Sequence, residues 1–142
     1  MEKTFLIILS IVIFASCDRK DECESVFPAP PTIAISIVDN EGKSLIGEEN
    51  TYKPSEIMLS RNGQEIELEF IEFQGNTSIG LNYGSMQSMA DYDFRLRANE
   101  TDILNLTINE YDGDCFNYKR VDSFKLNGEE ISSETTSYII QK

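Results

Sequence analysis

The chain is 142 residues long, with a formal net charge of −13, three cysteines and neither histidine nor tryptophan. That length suits one domain, and the acidity excludes nucleic acid and anionic head groups, whose phosphates are bound by Lys and Arg displacing counterions. The absence of histidine excludes Ser-His-Asp and Cys-His catalysis and almost all zinc enzymes.

The first element is the apolar run Phe5 to Ala15, interrupted only by the hydroxyl of Ser10. As a helix of eleven residues it would reach only about 16 Å at ~1.5 Å per residue. The hydrocarbon core of a bilayer is about 30 Å thick. Lys3 precedes the run and the small residues Ala15 and Ser16 follow it, the layout of a secretory leader cleaved after residue 16. Glu2 and Lys3 cancel, so the remaining 126 residues keep the charge of −13.

Phe14-Ala15-Ser16-Cys17 resembles the bacterial lipobox, with Phe14 where leucine is usual. The resemblance implies that Cys17 becomes the first mature residue and that its sulfur carries a diacylglyceryl group. Each buried methylene contributes about 0.8 kcal/mol, and two acyl chains suffice for stable anchoring where one does not. The charged stretch Asp18 to Glu22 keeps the backbone beyond the anchor in water. It also resembles the surface-export signal of lipoproteins from Bacteroidota-type bacteria. The expected address is therefore the outer membrane of the cell envelope, facing the cell surface, with inner-leaflet or periplasmic retention as the alternative.

With Cys17 lipidated, Cys23 and Cys115 remain as one pair in an oxidising compartment. A disulfide between them is expected. Residues 17–31 read as a lipidated amino terminus and tether, because Pro28, Pro30 and Pro31 remove amide donors and favour extended geometry. Fourteen free residues, 18–31, would hold a domain up to about 46–50 Å from the membrane, whereas a staple at Cys23 leaves five, about 17 Å.

From residue 32 to 142 the dominant pattern is period two, the signature of half-buried strands. Ile33, Ile35 and Ile37 share one face. Ile57 and Leu59 precede the dipeptide Asn62-Gly63, a strong hairpin signal, and Ile66, Leu68 and Phe70 follow it with Glu65, Glu67 and Glu69 facing out. The phase then slips at Ile71 and Phe73, which predicts a β-bulge near Phe70–Ile71. Further alternation places Ile79, Leu81 and Tyr83, then Tyr92, Phe94 and Leu96, then Leu104, Leu106 and Ile108 on inward faces. A second turn is expected at Asn127-Gly128 and a last strand in "SYIIQ". Eight or nine short strands with one polar face each predict an all-β fold, an antiparallel β-sandwich of the immunoglobulin-like or transthyretin-like kind.

Asp39, Gly42 and Leu45 in "ISIVDNEGKSLIG" resemble the opening strand and turn of carboxypeptidase-regulatory-like, or transthyretin-like, sandwich domains. The resemblance covers about fifteen residues and implies the sandwich alone, no activity. Taken whole, the chain resembles the small lipoproteins of Bacteroidota-type bacteria.

Three chemistries remain open. A glycosidase-like hydrolase needs only two carboxyls about 5–10 Å apart, and 24 acids follow residue 16. Calcium needs six to eight oxygens, and Asp91, Asp93, Asp112 and Asp114 alternate in or beside expected loops. Glycan binding draws on exposed aromatic rings, yet most of the six tyrosines fall on strand faces expected to point into the core. The expectation is a non-enzymatic, lipid-anchored module without a cofactor, binding a protein or glycan. A carboxylate-dependent hydrolase and a calcium-stabilised adhesion module are the alternatives.

Overall fold

The computed structural model describes Cys23 and residues 27–142. Cys17 and the leader lie outside the described residues. The described part is a β-sandwich. Its strands are β1 (Thr32–Val38), β2 (Met58–Arg61), β3 (Gln64–Ile66), β4 (Leu68–Phe73), β5 (Asn76–Asn82), β6 (Asp91–Arg97), β7 (Glu100–Tyr111), β8 (Tyr118–Leu126), β9 (Glu129–Glu130), β10 (Ser133–Glu134) and β11 (Ser137–Gln141). β9 and β10 are two-residue stubs, which is why eight or nine strands were legible in the sequence where eleven are found.

The first sheet runs β10-β11-β1-β5-β4 and the second β3-β2-β6-β7-β8-β9. Pairing is antiparallel except between β1 and β11, where Ala34 to Val38 lie beside Ser137 to Gln141 in parallel. Alternation along a single strand is the same in parallel and antiparallel neighbours, so this exception carried no sequence signal.

The core forms where the expected inward faces meet. Ile33, Ile35 and Ile37 of β1, with Ile79 and Leu81 of β5, cluster with Leu59, Phe94, Leu96, Leu104, Leu106 and Phe124 of the second sheet, all buried. Each such side chain contributes about 1.5–3 kcal/mol on leaving water. Phe124 also stacks on Tyr138 of β11 at a centroid distance of 4.4 Å, tying the two sheets together.

Turn chemistry sets the hairpins. Asn62-Gly63 and Asn127-Gly128 both take left-handed backbone at each central residue, as a type I′ turn requires. They close the β2–β3 and β8–β9 hairpins as expected. Gln74-Gly75 closes β4–β5 in the same way.

The bulge expected near Phe70–Ile71 is absent. β4 pairs with β5 in unbroken register from Leu68–Leu81 to Phe73–Asn76. Ile71 and Phe73 break the alternation because they lie on the outward side of an edge strand, where they are 50% and 70% exposed. The irregularity of this segment lies instead at Glu67, where the chain leaves the second sheet after β3 and joins the first as β4. Bulges occur between Arg95 and Arg97 on β6 and opposite Thr107–Ile108 on β8.

Register gives the sandwich two distinct ends. One gathers the start of β1, the Asn62-Gly63 turn, the β5–β6 loop and the β7–β8 loop that carries Cys115. The other gathers the Gln74-Gly75 and Asn127-Gly128 turns and a polar clasp. In the clasp, Lys142 donates to Asp102 at 2.7 Å and to Glu100 at 3.1 Å. Tyr52 donates to Glu100 at 3.0 Å, and Asn127 to Asp102 at 2.7 Å.

Candidate functional site at the disulfide end

The two longest paired strands, β7 and β8, build this end as a ribbon reaching to the Tyr111–Tyr118 pair. Its tip, residues 112–117, is joined to the tether: Cys115 is disulfide-bonded to Cys23, with Cα atoms 5.3 Å apart across a sequence separation of 92. The pairing expected from the cysteine count is the one found. Gly113 fits the tip because a Cβ there would lie 2.6 Å from the Phe116 carbonyl oxygen, closer than real Cβ contacts permit.

The outward face of the ribbon carries a ladder of rings and charges. Tyr111 and Tyr118 stack with centroids 5.8 Å apart and planes at 22°. The Arg120 guanidinium sits 4.2 Å from the Tyr111 ring centroid, a cation–π contact, and donates to the Tyr111 hydroxyl at 2.8 Å. Asp122 then collects three donors: Tyr111 Oη at 2.5 Å, Asn109 Nδ2 at 2.6 Å and Arg120 Nε at 2.8 Å. Hydrogen bonds from Tyr111, Asn109 and Arg120 stabilise the ionised carboxylate and hold the Asp122 pKa down at about 2. The same bond to Asp122 raises the Tyr111 pKa.

A bulge makes this ladder possible. Thr107 pairs with Ser123 and Ile108 with Val121, leaving Asp122 as the extra residue. Even-numbered residues of β8 point outward before it (Tyr118, Arg120) and inward after it (Phe124, Leu126). Without the insertion, one of those sets would face the wrong way. The signal was present in the sequence as an alternation that reverses between Val121 and Phe124, the same kind of phase slip seen at Ile71.

The ribbon is braced against the β5–β6 loop. Tyr83 donates its hydroxyl to the Lys119 carbonyl at 3.0 Å, and Lys119 Nζ donates to the Gly84 carbonyl at 2.6 Å. A depression beside Tyr118 and Lys119 is walled by Pro28, Pro31 and Asn117. On the other side of Gly84 and Ser85, an open groove runs past Ile66 to Gln64, Arg61 and Tyr92. Its polar atoms are already arranged: Arg61 donates to Gln87 Oε1 at 2.6 Å, and the Gln87 amide donates to the Tyr92 hydroxyl at 2.7 Å.

The acids considered for calcium are not drawn into one place. Asp91 opens β6 and accepts from Asn105 Nδ2 at 2.9 Å, and Asp93 follows on the same outward face. Asp112 and Asp114 lie in the exposed ribbon tip. Asp91 pairs with Asn105, six residues from Tyr111 along β7, so the two sets are separated by about 20 Å of strand. Among the described residues, no three acidic, cysteine or histidine side chains are grouped to hold an ion. Four tyrosines, 52, 83, 92 and 138, are core residues as expected, while Tyr118 is 44% exposed and Tyr111 stands beside it on the outward face. No helix among the described residues is long and apolar enough to cross a membrane.

No protein-family model, curated protein or solved structure gives a significant match to this chain.

Proposed function

We propose that this chain is a non-enzymatic binding module of the cell envelope, lipid-anchored through Cys17, that contacts a neutral glycan at its disulfide end. The observation that carries this reading is the part-exposed Tyr118 ring, stacked on Tyr111, beside a shallow depression walled by Pro28, Pro31 and the Asn117 amide. An aromatic face stacks on the C–H side of a sugar ring, while an amide such as that of Asn117 exchanges hydrogen bonds with its hydroxyls. The acidic surface disfavours an anionic ligand, so the glycan proposed is an uncharged one.

The disulfide supports placement close to a bilayer. With Cys23 bonded to Cys115, an anchor at Cys17 leaves five free residues, a reach of about 17 Å. The ribbon tip then faces the membrane, and ligands near the lipid surface are the ones within reach. At the Lys142 clasp, Glu100 favours binding over hydrolysis. Burial alone would raise the Glu100 carboxyl, but hydrogen bonds from Lys142 and Tyr52 carry it below the usual range, whereas a glycosidase acid needs a raised one.

The test is capture from native envelope by residues 18–142, which retain the disulfide, compared with the Tyr118→Ala variant. A neutral glycan should be retained, with affinity falling about tenfold in the variant, the value of one aromatic contact of ~1.4 kcal/mol. Retention of a protein alone, or of a glycan held equally by the variant, overturns the reading.

A further inference from the structure

Two Asn-Gly turns stand at opposite ends of the sandwich, and neither enters the proposed binding. They form a matched pair. Asn62 and Asn127 both take left-handed backbone, with φ of 51° and 53°, and the glycines that follow have φ of 77° and 84°. All four residues are exposed, and a Cβ on either glycine would meet nothing within 4 Å. No backbone hydrogen bond among the described residues uses either glycine amide. Main chain, exposure and open space are therefore alike at the two turns.

The asparagine side chains are not alike. Asn127 is held on both arms of its amide: Oδ1 accepts from the Ile103 N–H at 2.8 Å, and Nδ2 donates to Asp102 at 2.7 Å. Its backbone N–H donates to the Ile103 carbonyl at 2.8 Å. Asp102 is itself buried and fixed by Lys142 at 2.7 Å. Asn62 lines the open groove, where the Arg61–Gln87 bond leaves it out. Its side chain has no hydrogen-bond partner among the described residues.

We infer that Asn62 is a site of spontaneous modification to aspartate and isoaspartate, and that the polar clasp protects Asn127 from the same reaction. Glycine lacks the Cβ that would screen its amide from the neighbouring side chain. The Gly63 nitrogen loses its proton to a base in the solvent and bonds to Asn62 Cγ. The Cγ–Nδ2 bond breaks, ammonia leaves, and a succinimide ring remains. Water then opens the ring at either carbonyl, giving aspartate or, with the main chain rerouted through Cγ, isoaspartate. Attack requires the side-chain amide to turn until the face of Cγ meets the glycine nitrogen. At Asn127 that turn breaks both amide bonds and strips a buried carboxylate of a donor, slowing the reaction by about tenfold or more. At Asn62 nothing has to break. The product places a new negative charge at the groove rim, and isoaspartate adds a main-chain atom to the turn that sets the β2–β3 register. The inference rests on the two turns alone and requires neither the anchor nor the glycan.

The experiment incubates the full chain, disulfide intact, in mildly alkaline buffer. Mass spectrometry of its proteolytic peptides follows conversion at each turn, with electron-transfer fragmentation to distinguish isoaspartate. Asn62 should convert about tenfold or more faster than Asn127. In concentrated urea the two rates should converge, because the bonds to Ile103 and Asp102 are gone. Asp102→Ala should bring the Asn127 rate toward that of Asn62 in buffer, with the melting temperature checking that the variant is folded. Equal rates in the folded parent chain overturn the inference, and so does an Asn62 that keeps its amide there while the chain in urea converts. A preference for Asn62 that survives in urea also overturns it, since flanking residues and not the clasp would then set the difference. So does a folded Asp102→Ala that leaves the Asn127 rate unchanged.

Discussion

At the residue scale, Asp122 is the hinge of the ribbon surface, because one carboxylate organises a tyrosine, an asparagine and an arginine. Its folded pKa of about 2 lies below the ordinary value of 3.8. A depressed carboxyl contributes stability that is fully present above the unfolded pKa and is lost as pH falls through the folded one. The window is therefore roughly pH 4 down to pH 2. Carboxyl carbon NMR should place the Asp122 midpoint near 2, and Tyr111→Phe should move it up toward 3.8, since that hydroxyl is the largest cause of the depression. A midpoint at the ordinary value in the parent chain would mean that the ladder is not formed in solution.

At the scale of elements, the β7–β8 bulge joins the surface to the core. Substituting Asp122 with alanine removes the carboxylate but keeps the count of residues, so Tyr118 stays outward. Deleting Asp122 removes the count itself, and the chain must then turn either Tyr118 and Arg120 inward or Phe124 and Leu126 outward. Exposing Phe124, which is fully buried, would forfeit about 3–5 kcal/mol, so the ring–charge ladder is the part expected to yield. Tyrosine solvent accessibility, read by fluorescence quenching, should change little in Asp122→Ala and markedly in the deletion. The β4 edge shows the opposite case. There the phase breaks without any insertion, because Ile71 and Phe73 occupy outward positions that the core does not claim.

At the scale of the whole molecule, one disulfide decides how the sandwich is presented. Cys23→Ser opens a loop closed over a sequence separation of 92 and should cost about 2–5 kcal/mol. Thermal unfolding should fall by roughly 5–20 °C for a domain of this size. Under the proposed anchoring at Cys17, the same variant lengthens the tether from five residues to fourteen, so a label at the ribbon tip should move away from the bilayer by up to about 30 Å. Depth-dependent quenching by lipid-bound quenchers checks this directly. An unchanged melting temperature would show that the disulfide does not form in solution.

What the sequence determined by itself was whatever is encoded by local periodicity and turn chemistry. Period-two alternation identified Ile33, Ile35 and Ile37, then Phe94 and Leu96, then Leu104 and Leu106 as inward, and Asn62-Gly63 and Asn127-Gly128 as hairpin turns, because a side chain's face and a turn's backbone depend on near neighbours. With Cys17 assigned to the expected lipid anchor, the cysteine count left Cys23 and Cys115 as the pair, and the structure bonds them. Only the tertiary structure decided what depends on which strands lie side by side. The parallel seating of β11 against β1 and the passage of the chain between sheets at Glu67 both arise from contacts distant in sequence. The Tyr111–Tyr118–Arg120–Asp122 ladder lies between these cases. Its phase slip is written in β8, but its partners on β7 become neighbours only when the ribbon closes, and alternation along one strand carries no information about the strand beside it.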